Sequence, residues 1–312
     1  VLQPEIVLQP ETVLRPETLR LELPADYRWV PGARGLMAVW GAVAEEMEDA
    51  GFGPDTAPAL AESEAVGRVP LGELATARGS YLVRTFHHGG LLRWLSGARF
   101  SEPRRPFEEL LLSHGLIERG VRTPRIVAAR ARRVGLWWEL CVVTERVGDA
   151  TDIGRWIAET RRGLRSRAGL RVVARAFGEL VRQLHDIGFE HADLQPNNVL
   201  VEEPLPEDGE PRLWVLDLDR SRWVGGGEGI AREKNLGRLV RFVERRERER
   251  GRCLGWGDRM RFLRGYEAER EVRHRLWREL GGSGGGGLRH HLGWRMESLF
   301  GGEDPREGEA SR

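Results

Sequence analysis

The stretch His191-Ala192-Asp193-Leu194-Gln195-Pro196-Asn197-Asn198-Val199-Leu200 decides how this chain is read. Beyond it, 19 residues after Asn198, comes the end of the run Val215-Leu216-Asp217, followed by Leu218-Asp219. Val199 to Val201 and Leu213 to Leu216 have the apolar composition of two strands, and the polar, Pro-containing segment Glu202 to Arg212 would join them as a hairpin. Such a hairpin returns Asp217 towards Asn198. Asp193 and Asn198 then stand at opposite ends of one short loop, where the carboxylate can accept the hydrogen bond of a hydroxyl group. The amide oxygen of Asn198 and the carboxylate of Asp217 suit Mg2+, a hard cation that prefers oxygen ligands. The competing reading makes His-x-Asp and Asp-x-Asp ordinary turn and capping residues. It is serious for either motif alone, because short patterns match by chance, and weak for both in order with a strand pair between them.

The residues before the loop agree. Leu170, Val173, Ala174, Phe177, Leu180, Val181 and Leu184 recur at helical spacing, forming one apolar face of about four turns. His185 and Gly188 close that helix, Gly being the usual residue just past a helix C-terminus.

Helix, turn, H-x-D-L-x-x-x-N loop, strand pair and terminal Asp together resemble the catalytic and metal loops of protein-kinase-like phosphotransferases. Phosphoryl transfer asks the protein for positioning and for cations that take up developing charge. The resemblance implies an α+β, bilobal fold with a small β-rich N-lobe and a larger helical C-lobe. It implies ATP and Mg2+ as cofactors, with Asp193 as the catalytic carboxylate and Asn198 and Asp217 as metal ligands.

The N-lobe is sought between about Leu60 and Val147. Tyr81 to Phe86 reads as a strand, and Pro106 followed by Phe107, Leu110, Leu111, His114 and Ile117 reads as a helix with Pro in its first turn. Leu136 to Val143 is a second strand, ending in Thr144-Glu145-Arg146-Val147. In a kinase-like fold this end is the hinge that reads adenine, which makes Glu145 and Val147 nucleotide-contact candidates. A kinase also needs a strand lysine paired with a helix glutamate. Lys234 is the sole lysine here and lies beyond the metal loop. Arg84 stands where the lysine is needed, with Glu109 (or Glu108) on the helix, and an arginine can both neutralise phosphate and pair with a carboxylate. Gly67-Arg68 and Gly72 are candidates for a phosphate-covering turn, on a weak signal that is not G-x-G-x-x-G.

Length and composition bound the alternatives. A chain of 312 residues with 40% hydrophobic content can bury the core of two lobes. It has no apolar run long enough to span a membrane. Val1 to Glu17 lacks a secretory pattern, and two cysteines, Cys141 and Cys253, point to no disulfide framework and to a reducing compartment. A net charge of +1 argues against nucleic acid as a partner. The dominance of arginine over lysine reads as codon bias from a GC-rich genome.

Domain boundaries follow. Residues 1–25 open with three near-copies of one Pro-containing hexapeptide and are expected to be a disordered or extended leader. Residues 26–147 form the nucleotide-covering lobe and residues 148–280 the lobe with the catalytic and metal loops. Residues 281–312 are a Gly-rich linker and tail, with Leu288, Leu292, Met296, Leu299 and Phe300 on one face of a possible short helix.

Several segments, in order, resemble the 3-deoxy-D-manno-octulosonic acid (Kdo) kinases, which group with the lipopolysaccharide core heptose kinases. Arg84-Thr85-Phe86-His87-His88-Gly89-Gly90-Leu91 is similar to their L-R-x-Y-R-R-G-G-L, and Gly120-Val121-Arg122-Thr123-Pro124-Arg125 to their G-L-P-V-P-R-P. Asp217-Leu218-Asp219-Arg220 matches D-F-D-[RK], in which a second Asp replaces the glycine of protein kinases, and Asn235-Leu236-Gly237-Arg238-Leu239 matches N-L-x-R-L. Arg in place of Lys at position 84 is itself a feature of the Kdo branch. His87-His88 depart from the family's two arginines, and its Arg-rich stretch before the helix is reduced to Arg99 and Arg104-Arg105.

The resemblance covers roughly Gly67 to Tyr266. It implies ATP-dependent phosphorylation of a Kdo hydroxyl, expected to be the 4-hydroxyl, on Kdo-lipid A in a Gram-negative bacterium. The enzyme would be cytoplasmic and peripheral on the inner face of the inner membrane. The excess of positive charge between Arg232 and Arg278 could meet anionic lipid, or be a solvated helix of mixed Glu and Arg pairs. No protein partner is expected. Two rival readings stay open. One is another small-molecule phosphotransferase of this fold, although the usual H-G-D-x-H-x-x-N has Ala192 and Gln195 here. The other is a non-catalytic binding protein with a kinase fold.

Overall fold

A computed structural model describes residues 14–56, 58, 60–62, 71–77, 79–87, 99–207, 209–224, 229–252 and 254–282. The chain divides into two compact units, Val1–Val147 with Leu218–Arg220, and Gly148–Asp217 with Ser221–Arg312.

The first unit is built on a seven-stranded sheet of order β1-β2-β6-β7-β5-β4-β3. Its strands are β1 (Tyr27–Pro31), β2 (Gly35–Trp40), β3 (Ala61–Glu62), β4 (Gly72–Thr76), β5 (Gly79–Thr85), β6 (Ile126–Val134) and β7 (Trp137–Glu145). Every neighbouring pair is antiparallel. Alternation along β2 explains how both faces are covered. Leu36 and Ala38 join one core with Phe107, Leu110 and Leu140, while Met37 and Val39 join the other with Met47, Phe52 and Val143. Helix α3 (Arg105–Glu118) covers the first face, and helix α2 (Ala44–Asp49) supplies Met47 to the second.

The expected leader ends earlier than residue 25. Pro16–Leu19 forms a short helix, α1, and Leu14 and Leu19 are buried in the core shared with α3. The Pro residues of the repeat do not prevent this, because Pro16 occupies the first turn of α1, where no backbone N–H is needed. The hexapeptide copies before Leu14 lie outside the described residues. The sheet also begins earlier than the Leu60 limit, since β1 and β2 belong to it.

The second unit is mainly helical. Its helices are α4 (Ile153–Arg161), α5 (Arg167–Asp186), α6 (Gly229–Arg250), α7 (Trp256–Tyr266) and α8 (Arg270–Gly282). Helix α5 is the amphipathic helix read from the sequence, longer than four turns because Ser166 caps its N-terminus, accepting from the Gly169 N–H at 3.0 Å. Gly188 (φ 73°) makes the left-handed turn after it. Helices α5 and α7 approach at paired glycines. A Cβ on Gly178 would lie 2.0 Å from the Phe262 carbonyl oxygen, and one on Gly265 2.0 Å from that of Arg175. Helix α8 runs through Gly282, so the expected linker starts no earlier than Ser283 and lies, with the tail, outside the described residues. No described helix is long and apolar enough to cross a membrane.

Two small sheets carry the loops of interest. One, of order β11-β10-β8, joins β8 (Ala150–Asp152), β10 (Val199–Glu202) and β11 (Leu213–Val215). The other pairs β9 (Phe189–Glu190) with β12 (Arg222–Trp223).

Candidate active site

The hairpin expected between the two motifs is present: Val199 pairs with Val215, and Val201 with Leu213. The Leu216 N–H then donates to the Asn198 carbonyl at 2.9 Å, which sets Asp217 beside Asn198. Asp217 has φ 56°, a left-handed conformation that costs a non-glycine residue energy and often marks a functional position.

His191 is fully buried, between β9 and the loop. Its Nδ1 accepts from the Asp193 N–H at 3.1 Å, so its Nε2 carries the proton and donates to the Leu216 carbonyl at 2.9 Å. One neutral imidazole thus ties the loop that carries Asp193 to the segment that carries Asp217. Burial holds its pKa below the usual histidine value. Ser221 fixes the next residue, its hydroxyl accepting from the Ala192 N–H at 3.0 Å.

The Asp193 carboxylate is oriented by two amides. Gln195 donates to Oδ2 at 2.6 Å and Asn198 Nδ2 at 3.2 Å, while Asn198 Nδ2 also donates to the Asp193 carbonyl at 2.8 Å. With its nitrogen committed to Asp193, Asn198 offers a ligand only through its amide oxygen. Among the described residues no group of three or more His, Cys, Asp or Glu side chains could hold a metal unaided. An amide oxygen and one carboxylate fit Mg2+, which keeps waters and binds substrate phosphates rather than filling an all-protein cage.

The motif Asn235-Leu236-Gly237-Arg238 places α6 against the same loop. Asn235 is buried; its Nδ2 donates to the His191 carbonyl at 3.0 Å and its Oδ1 accepts from the His191 N–H at 3.3 Å. Arg238 donates to that carbonyl at 3.2 Å. His185 lies behind Asn235, with Nε2 3.4 Å from Oδ1 and Nδ1 2.9 Å from the Tyr266 hydroxyl. Desolvation lowers the pKa of His185 to about 4. Neither role was readable in the sequence, where Asn235 had only its place in a motif and His185 was a helix terminator.

In the first unit Arg84, on β5, meets Glu109, on α3. The guanidinium nitrogen Nη2 lies 2.5 Å from both carboxylate oxygens. Glu109 is 5% exposed, so the pair is desolvated on the carboxylate side. The Arg84 guanidinium also stacks 4.6 Å over the Phe86 ring. Glu108, the alternative partner, pairs with Arg104 at the surface.

Asp219 belongs with this unit. It accepts from Arg105 Nε at 3.1 Å and from Arg105 Nη2, and Arg105 opens the helix that carries Glu109. The Arg105 guanidinium stacks over Phe86 and Phe100, at 5.3 and 4.9 Å. Arg105 was legible only as one of a run of arginines, because its partner lies 114 residues away. Of the hinge candidates, Glu145 ends β7 with its N–H donating to the Arg125 carbonyl at 3.0 Å, and Val147 closes the unit. Gly67 lies outside the described residues, as do His88 to Leu91; Gly72 begins β4 and is not part of a turn.

An antiparallel sheet with a helix-borne glutamate on its strand arginine, and a helical unit with an HxDxxxxN loop and a terminal Asp, define a protein-kinase-like phosphotransferase. A family model described as "Lipopolysaccharide kinase (Kdo/WaaP) family" matches residues 64–266, and the chain belongs to that family. It is 28% identical over 181 residues to a 3-deoxy-D-manno-octulosonic acid kinase of Vibrio cholerae, covering 56% of this chain and 68% of that protein. It is 30% identical over 167 residues to the protein of that name in Vibrio vulnificus, covering 53% and 64%. For Actinobacillus succinogenes the figures are 27% over 190 residues, 59% and 74%. The chain thus spans about two thirds of the length of these curated relatives. A solved structure of WaaP in complex with acyl carrier protein aligns with a TM-score of 0.48 at 21% identity, covering 77% of this chain and 90% of that one.

Proposed function

We propose that this chain transfers the γ-phosphoryl group of ATP to a hydroxyl of a Kdo sugar on Kdo-lipid A, a step of lipopolysaccharide inner-core assembly at the inner face of a Gram-negative inner membrane. Asp193 accepts the hydrogen bond of the attacking hydroxyl and aligns it. Asn198 and Asp217 hold Mg2+, which supplies charge neutralisation at the phosphates. Arg84, kept in place by Glu109, adds a second cation there, and Glu145 and Val147 contribute backbone groups to adenine.

The observation that carries this reading is the Asp193–Asn198–Gln195 arrangement within the matched family segment. The Asp193 carboxylate is held by the Gln195 and Asn198 amides. Gln195, where small-molecule phosphotransferases of this fold have a histidine, favours the lipopolysaccharide branch. The test is incubation of the purified protein with Mg-ATP and Kdo-lipid A, with mass spectrometry and fragmentation locating the added phosphate. Phosphate on an aminoglycoside or choline but not on Kdo would move the chain to the rival class, and no transfer to any acceptor would leave a binding protein.

A further inference from the structure

The turn joining β6 and β7 carries five successive exposed residues, Arg133 to Trp137. Three are apolar, with Val134 39%, Leu136 67% and Trp137 46% exposed. Val134 pairs with Trp137, so the turn is two residues long, and Gly135 (φ 62°) supplies the left-handed conformation it needs. Single exposed apolar side chains are ordinary, but three within four positions at the tip of a hairpin form a patch.

Two exposed arginines flank the tip. The β1–β2 turn lies alongside, the Arg133 N–H donating to the Arg34 carbonyl at 2.7 Å, and both Arg34 and Arg133 are exposed. Among the described residues neither arginine forms an ion pair. The carboxylates nearest the tip have other partners. Asp55 accepts from the N–H groups of Ala33 and Arg34, at 2.6 and 2.8 Å, and Glu139 pairs with Arg132 at 3.0 Å.

We propose that this tip docks on an anionic lipid bilayer, with Leu136 and Trp137 entering the headgroup boundary and Arg34 and Arg133 facing lipid phosphates. The chemistry favours a bilayer over a protein groove. Tryptophan prefers the membrane interface, and arginines beside it that hold no carboxylate gain from a negative surface, although Arg133 also donates from Nε to the Gly135 carbonyl at 3.1 Å and lies 5.1 Å over the Trp138 ring. A hairpin also pairs its own backbone groups, so its tip can leave water without stranding them. The proposal deepens the reading of a lipid-borne acceptor and rests on that reading for its purpose.

The test is co-sedimentation of the full chain with phosphatidylcholine vesicles, with and without phosphatidylglycerol. Wild-type protein is expected to partition onto the anionic vesicles alone and to be released by salt. The double variant Leu136→Ser/Trp137→Ser should lose partitioning by about tenfold or more, and Arg133→Glu by a similar factor. Circular dichroism of both should match wild type, since the altered side chains are exposed. Wild-type protein that ignores anionic vesicles, or binds both vesicle types equally, overturns the proposal, as does wild-type partitioning by both variants. A short water-soluble Kdo acceptor separates this proposal from the reading of the chemistry. The serine variant should phosphorylate it at the wild-type rate, whereas failure of the wild type on that acceptor counts against the enzyme reading alone.

Discussion

Asn235 grips both backbone groups of His191, donating to its carbonyl at 3.0 Å and accepting from its N–H at 3.3 Å. A helix more than forty residues downstream thereby sets the start of the loop that carries Asp193. Asn235→Ala leaves a buried N–H and weakens the hold on a buried carbonyl. The expected loss is about 2–4 kcal/mol of stability, together with a fall in kcat greater than any change in the KM for ATP. Urea unfolding and initial rates measure both; wild-type kcat in a folded Asn235→Ala protein would show that the grip is dispensable.

Asp193→Ala should slow phosphoryl transfer by about 10²–10⁴-fold while leaving nucleotide binding nearly intact. Asp217→Ala should abolish Mg2+-dependent turnover, because the metal loses its carboxylate. Isothermal titration with a non-hydrolysable nucleotide, beside single-turnover rates, separates the two effects. Wild-type turnover in Asp193→Ala would reassign the loop.

Arg84→Ala would remove the cation proposed to meet phosphate and take the guanidinium from the buried Glu109 carboxylate, a change that typically costs about 3–5 kcal/mol. Both ATP use and thermal stability should fall. Arg84→Lys should rescue in part. One Arg84 nitrogen bridges both Glu109 carboxylate oxygens, and an ammonium group can take that place, although it cannot reproduce the stacking on Phe86. Glu109→Gln should give a milder form of the same defect. An Arg84→Ala protein with unchanged KM for ATP would place the phosphate cation elsewhere.

Arg105 and Asp219 should couple. Arg105→Ala and Asp219→Asn are each expected to lower kcat, and a double-mutant cycle should recover about 1–3 kcal/mol of interaction. Strict additivity would mean that the two residues act independently.

Acid should weaken the fold first through its buried histidines. The folded pKa of His185, about 4, lies below the unfolded value of 6.5, so the unfolded chain binds the extra proton as pH falls from 6.5 towards 4. Stability is therefore full above 6.5 and declines below it, by up to about 3 kcal/mol from this residue. His191, also held neutral by burial, acts in the same direction. Glu159 and Glu203, whose pKa values are lowered beside Arg165, lose their contribution only in more acidic solution. Urea midpoints at pH 5 and 7 should differ in wild type, and the difference should shrink in His185→Gln.

Local pattern was enough for the elements that carry the chemistry. The 3.6-residue period of Leu170 to Leu184, the loop from His191 to Asn198 and the β10–β11 hairpin all depend on contacts between residues near in sequence. Periodicity and turn residues report such contacts directly. The pairing of Arg84 with Glu109 was reachable by resemblance, since a strand arginine and a helix glutamate recur in a known order.

Tertiary packing decided the rest. Asn235 on His191, Arg105 on Asp219 and His185 on Tyr266 join residues 44, 114 and 81 positions apart. Nothing local distinguishes these arginines or histidines from the others in the chain. Leu14 and Leu19 likewise became core only because α3 and the sheet leave room for them. A polar side chain acquires a role when burial removes water and leaves one partner within reach, and that partner is chosen by the fold.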